Sequence, residues 1–455
     1  MTSLYQLWHK ARYSFWLVPT LTVFFAVVLA VVLIEADAWF PPGTFENRPR
    51  LFGAGADGAR GLLTVVASSM ITVAGVVFSI TIVALSLASS QYTSRVLRNF
   101  LSDRITQGVL GAFVGIFAYC LVVLRTIRGG DEGQFVPSVA VLIGLVLGMV
   151  GIGVLIYFIH HISTSIQASH IVAAAARETI RAIDHLFPEG VGHGKAADEE
   201  NLGAGGIWYP VTSGTTGYIQ SLDTDGLLRF ANEHQTVLRM ERRIGQFVIE
   251  GEPLLTVLGV APSDAELRCF RQMYAIGRQR TVEQDAAFGI RQIVDVALKA
   301  LSPGVNDTTT AVMCLDHLTS ILARLTDRQI ESFTRGQDGE IRLIACGPTY
   351  DELVDEAFDQ IRQNAGGNVA VLERLLLSLE FLGRRATAPQ RRECLLGHTL
   401  GVVELSRQSV TARRDSQRLA ERAERTVTSF NDGSTPAGAD ADRASSRMAP
   451  QESVG

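Results

Sequence analysis

Four long apolar runs, Ser14–Glu35, Leu62–Ala88, Gln107–Val123 and Val136–Ile159, crowd the first third of a 455-residue chain, and none of comparable length follows. A single globular core would spread its apolar residues through the chain. Each run is long enough, or nearly so, for a tilted helix to cross ~30 Å of hydrocarbon. The pattern predicts a multi-pass α-helical membrane bundle of four spans over residues 1–164, carrying a large soluble module. A lipid bilayer is the first partner this implies. The first run lacks a small-residue cleavage site and exceeds the h-region of a signal peptide, so it is expected to stay as a span.

Charge gives the expected orientation. Lys10 and Arg12 precede the first run, Arg95, Arg98 and Arg104 separate the second and third, and Arg177 and Arg181 follow the fourth. With four crossings all three groups fall on one side. Arg48, Arg50, Arg60, Arg125 and Arg128 fall on the other, so the positive-inside bias favours cytoplasmic termini by a modest margin. Three lysines against 38 arginines suggest a GC-rich bacterial genome, a compositional bias with little mechanistic weight, and the expected location is a bacterial cytoplasmic (inner) membrane. A net charge of −5 and a pI near 6.0 argue against a nucleic-acid partner, which calls for a basic patch or stripe.

The second run is unusual. Thr72, Ser79, Ser86 and Thr93 recur every seven residues, close to two helical turns, so their hydroxyls lie along one stripe. Such a stripe can line a water-filled path, bond its own backbone, or pack against another helix. Gly111 and Gly115 in the third run, and Gly144, Gly148 and Gly151 in the fourth, have the spacing that lets helix backbones approach closely. No charged residue lies near the middle of any run, which weakens a proton-coupled transporter. His160, His161 and His170 follow the fourth run with no carboxylate near them in sequence, and structural roles are expected for them.

From residue 165 to about 186 apolar residues keep helical spacing, with Arg177, Glu178, Arg181 and Asp184 on the other face. This amphipathic connector gives way to a Gly-rich linker ending near Gly206. Residues 207–260 read as short strands broken by Gly and Pro, with a short helix starting near Asp223, and predict a small β-rich domain. Residues 261–430 read as mainly helical, with Ser263 or Asp264 as the N-cap and Glu266 in the first turn, and with a strand-like IRLIAC segment. Pro303-Gly304 forces a break, after which Asn306 or Asp307 can cap the next helix. After Asn431 the composition predicts a disordered tail, 431–455. The fold class is thus a four-span bundle followed by a cytoplasmic α+β region.

Two resemblances bear on the soluble part. The phrase from Ile244 to Leu254 is similar to the strand pairs of lipoyl-like barrel-sandwich domains, but no lysine lies between Lys195 and Lys299 to carry a cofactor. The run GRQRTVEQDAAFGIRQIVDVALKALSPGVNDTTTAVMCLDHL, and ALSLASSQYTSRVLRNFLSD after the second span, resemble the bacterial predicted-membrane-protein family called domain of unknown function 2254. The similarity runs from the N-terminus to about Ser429, with Thr308 standing where members often have Pro. It implies the same membrane layout and no established activity.

Within that motif Arg280, Glu283, Asp285, Asn306 and Asp307 could cluster and bind a metal or phosphate, but their spacings match no recognised ligand pattern, and capping and ion pairing explain them without chemistry. No P-loop, GxGxxG, GxSxG, HExxH or DxDxDG pattern occurs, and the five cysteines form no metal-ligand spacing, so no catalytic residue, cofactor or metal is expected. The favoured function is an oligomeric, channel-like or transport-related protein with a cytoplasmic regulatory domain, assembled as a homo-oligomer. The alternative is a non-transporting scaffold or regulator that binds a partner or small ligand through its soluble part.

Overall fold

The computed structural model describes residues 16–39, 55–91, 103–128, 135–165, 167–186, 206–282, 284–326, 328, 330, 333–335 and 340–432. They fall into two compact units, one ending at Ile171 and the other beginning at Val172. In the first, α1 (Leu17–Trp39), α2 (Ala56–Gln91), α3 (Arg104–Thr126) and α4 (Ser138–Ser165) are each long and apolar enough to cross a membrane. The third helix is the hub: like α4 it packs against all three others, and its packing on α1 and α2 is the most extensive in the unit. Eleven of its 23 residues are buried, because its glycines and a narrow apolar face admit neighbours on several sides. Leu63, Met70, Phe113, Tyr119 and Phe158 form the centre of this core.

Polar groups in this unit fasten helix ends. The Asp37 carboxylate accepts from the backbone amides of Val139 and Ala140 at 3.1–3.3 Å and so caps α4 from another helix. Arg60 donates to the carbonyl of Ile127 at 2.9 Å, just past the end of α3. Tyr119 is fully buried and donates its hydroxyl to the Ala140 carbonyl at 2.8 Å. At the opposite end of the bundle Asp103 caps α3 through the amides of Ile105 and Thr106.

The helix α5 (Ala168–Leu186) follows α4 after two residues, and from Val172 onward it is part of the second unit. Then come β1 (Trp208–Thr212), β2 (Gly217–Leu222), α6 (Thr224–Glu233), β3 (Leu238–Met240), β4 (Phe247–Val248) and β5 (Pro253–Leu258). They continue into α7 (Asp264–Met273), β6 (Tyr274–Gly277), α8 (Ala286–Leu301), α9 (Thr308–Thr326), β7 (Phe333–Arg335) and β8 (Ile341–Ile344). Four helices close the unit: α10 (Tyr350–Asn364), α11 (Val369–Arg385), α12 (Pro389–Ser409) and α13 (Arg413–Asp432). The unit is mostly helical with two small sheets. Asp223 caps α6, and of the two candidates at α7 Ser263 is the cap, forming a capping box with Glu266. The tail beyond Asp432 lies outside the described residues.

The sheets correct the barrel-sandwich expectation. One has the order β1-β5-β3-β8-β7 and the other β4-β2-β6, and neither closes on itself. The phrase from Ile244 to Leu254 supplies β4 to one sheet and β5 to the other. Its tight turn at Gly251, with φ of +90°, redirects the chain between sheets where a hairpin would have paired its own arms. The larger sheet is completed by β8, which pairs in parallel with β3 across about a hundred residues of sequence, and β6 pairs with β2, so both sheets draw strands from beyond residue 260.

Candidate functional site

The hydroxyl face of α2 points away from its own bundle. Its buried side runs through Leu63, Ala67, Met70, Ala74 and Val77, and Thr72, Ser79 and Ser86 are exposed. Positions two apart on a helix differ by about 200°, which puts the two stripes on opposite faces. Thr72 donates to the Ser68 carbonyl at 2.7 Å and Ser79 to the Gly75 carbonyl at 2.9 Å. Each hydroxyl is thereby satisfied within its own helix. Thr93 lies outside the described residues.

The glycines sit at helix crossings. A Cβ on Gly111 would come within 3.0 Å of the Pro19 backbone, and one on Gly115 within 3.4 Å of the Ala26 side chain, so α1 runs directly over both. Gly144 faces Leu63 and Tyr119, Gly148 faces Val66, and Gly151 faces Met70 and Ile116. By contrast, nothing lies within 4 Å of a Cβ on Gly75, on the outward side of α2.

In the second unit the four described polar candidates fall at two separate places. Arg280 grips the buried Asp285 with two hydrogen bonds, Nε to Oδ2 at 2.8 Å and Nη2 to Oδ1 at 3.0 Å, while Asp285 caps α8 by accepting from the Phe288 amide at 3.0 Å. The loop bearing Gly245, φ +86°, is pressed against this pair, and a Cβ there would fall 2.1 Å from Asp285 Oδ2. At the other end of α8, Asn306 is exposed with φ of +47° and Asp307 caps α9. The 16 residues of α8 separate the two ends by about 24 Å. The Thr310 hydroxyl and amide hold the Asp307 carboxyl below its ordinary range. Glu283 lies outside the described residues. Asp285 and Asp307 therefore act as helix caps at separate places.

A feature that sequence reading missed lies between α9, α11 and α13, which enclose a groove of about 540 Å³. Asp316 and Arg374 pair across its mouth, and Thr319 donates to Ser378 at 2.7 Å beneath them. Glu380 is paired with Arg384 through Oε1. Its other oxygen is buried and, among the described residues, accepts no hydrogen bond, with Arg422 Nη1 standing off at 3.6 Å. Phe381 at the rim is 48% exposed. A second hollow of about 520 Å³, along α11 and α13, shares Glu380 and Arg384.

The family described as "predicted membrane protein (DUF2254)" matches residues 12–380. The chain belongs to the DUF2254 family. Two uncharacterized proteins of Mycobacterium tuberculosis strains and one of Mycobacterium bovis are 34% identical to it over 394 residues, spanning 83% of this chain and 73% of each relative. No solved structure matches. The DUF2254 match takes in both motifs and stops within the groove, at Glu380, so Arg384 and Arg422 lie beyond it.

In this DUF2254 protein the polar residues of the two motifs act mainly as fasteners. Asp103, the last residue of the first motif, bonds His161 Nε2 at 2.7 Å and so joins the start of α3 to the end of α4. This is the carboxylate partner His161 lacks in sequence; 58 positions separate them, and no local signal links them. Gly289 of the second motif packs so closely on Thr179 of α5 that a Cβ would fall 2.0 Å from the hydroxyl. Ala182, Val282 and Phe288 form a small cluster beside it, and Arg328 donates to the Ile183 carbonyl at 3.1 Å. The amphipathic connector, from Val172 onward, is thereby built into the second unit.

Proposed function

We propose that the protein is an oligomeric, channel-like assembly of the bacterial cytoplasmic membrane, in which the outward faces of α2 from several copies surround a path and the second unit regulates it from the cytoplasmic side. The observation that carries this reading is the placement of Thr72, Ser79 and Ser86 opposite the buried face of α2. A helix meant only for lipid has no need of a hydroxyl stripe on its outer side, and small polar side chains suit either an interface between copies or a wet lumen. The helix also has length to spare. Its 36 residues extend about 54 Å, well beyond ~30 Å of hydrocarbon. Regulation is supported by continuity: only two residues separate α4 from α5, and α5 is packed into the second unit, so a rearrangement there pulls on the last span. The arginine distribution favours the cytoplasmic side for both termini.

The test combines three measurements. Cysteines placed at 72, 79 and 86 should react with a membrane-impermeant thiol reagent, the purified protein should run as an oligomer in detergent, and liposomes containing it should pass ions. A strict monomer with no flux under voltage, tension or pH change overturns the reading. That outcome would favour a membrane-anchored regulator acting through the charged groove of the second unit.

A further inference from the structure

We infer that the seam between α5 and α9 is acid-sensitive: protonation of His317 loosens the connector from the second unit. One end of the seam is closed by charge. Arg324 Nη2 stands 3.7 Å from Asp184 Oδ2, while Arg328 pairs with the same carboxylate and donates to the Ile183 carbonyl at 3.1 Å. His317 lies seven residues before Arg324 on α9, and Arg177 lies seven before Asp184 on α5. Seven residues return a helix to within about 20° of the same line, so His317 shares the face that meets α5 and Arg177 the face that meets α9. The far end of the seam thus sets a cation, Arg177, towards a titratable ring. His317 is half-buried, and burial disfavours its charged form; the adjacent Asp316 partly offsets this, and the Arg177 guanidinium adds to it, leaving the ring to titrate below its ordinary value. Other charges around α9 are engaged elsewhere. Asp316 is drawn to Arg374 of α11, and Arg291 of α8 pairs with Asp295 and with Glu356 of α10. Because the folded ring titrates below its unfolded value, its contribution is complete above about pH 6.5 and is lost as pH falls through the folded value. Arg177 is exposed and screened by solvent, so burial of the ring is the larger part of the effect.

For flux the consequence rests on the channel-like assembly proposed above: acid is then the stimulus, and α5 carries it to α4, two residues away in the chain. The seam itself lies within the second unit from Val172 onward, so its response to acid is the same whether or not the protein conducts. The test is amide hydrogen exchange of the full-length protein in detergent at pH 7.5 and pH 5.5, corrected for the intrinsic pH dependence of exchange. Protection of the α5 amides from Val172 onward should fall by about threefold on acidification, while that of α11 holds. His317→Gln, which cannot take up the proton, should abolish the fall, and Arg177→Gln, at an exposed position, should reduce it. Protection of α5 that is independent of pH overturns the proposal. So does an equal fall in His317→Gln, or a fall shared by α11, which would mark general loosening of the unit. If His317→Gln does not fold, the wild-type profiles of α5 and α11 and the Arg177→Gln variant still decide, since an undiminished fall in Arg177→Gln removes the seam as its cause.

Discussion

The two units hold their helices together by different means. In the first, the centre is apolar and small: glycines of α3 and α4 let neighbours approach to van der Waals contact, and polar side chains work at the helix ends, as Asp37 does on α4 and Asp103 on α3. In the second, ion pairs run through the packing itself, with Arg280 on buried Asp285 and Arg328 on Asp184. The difference teaches that the surroundings choose the fastener. In hydrocarbon an unpaired charge is costly and close backbone contact is a main source of attraction, whereas a buried ion pair must repay the desolvation of both groups, as Asp285 does with two hydrogen bonds from Arg280 and a third from the Phe288 amide.

Substitutions can break or sharpen that contrast. The largest effect is expected at Asp285, since Asp285→Ala strips both the partner of Arg280 and the cap of α8; the cost should be about 3 kcal/mol, read from denaturant unfolding of the full-length protein in detergent. A loss below about 1 kcal/mol would show that the pair is not a principal fastener of the second unit. Next comes a matched pair in the first unit. Gly111→Leu forces a side chain into the α1 crossing and should cost about 2 kcal/mol, while Gly75→Leu, with open space around it, should stay within about 0.5 kcal/mol. Equal costs would erase the distinction between the inner and outer glycines, and a change of oligomeric state in Gly75→Leu alone would place a second copy against α2.

Asp37→Ala should cost about 1 kcal/mol, the ordinary worth of a helix cap, and thermal unfolding would register it. The smallest effect is a pH dependence at Asp307, whose folded carboxyl titrates below its unfolded value because Thr310 donates to it. Its stabilising contribution is therefore present above the ordinary carboxylate range and lost as pH falls through the lowered folded value. Thr310→Val should bring the folded and unfolded values closer and flatten the fall of the melting temperature between about pH 5 and pH 2. An identical acid profile in the variant would remove the hydroxyl as the cause.

Much of the local architecture is legible residue by residue. The apolar runs mark the four helices, Asp223 and Ser263 start theirs, and Pro303-Gly304 ends α8, because these signals act within one or two turns of chain. The candidate sites are far less legible. Arg280 and Asp285 lie five residues apart and do meet, but Asn306 and Asp307 belong to the far end of the same helix, and nearness in a motif says nothing of where the intervening helix carries each end. The groove joins Asp316, Arg374, Glu380 and Arg422, which lie on three helices and over a hundred positions apart, with no periodic signal among them.

The sequence by itself determined the four helices suited to a membrane among the described residues, the mostly helical region with short strands that follows, and membership of the DUF2254 family. Hydropathy, capping and turn chemistry are short-range, and motif similarity needs no coordinates. Only the tertiary structure decided that α3 is the hub, that the hydroxyls of α2 face outward, that β4 and β5 join separate sheets, and that Glu380 meets Arg422. Each of those depends on which of several compatible faces meets which neighbour, and long-range packing, not local preference, selects among them.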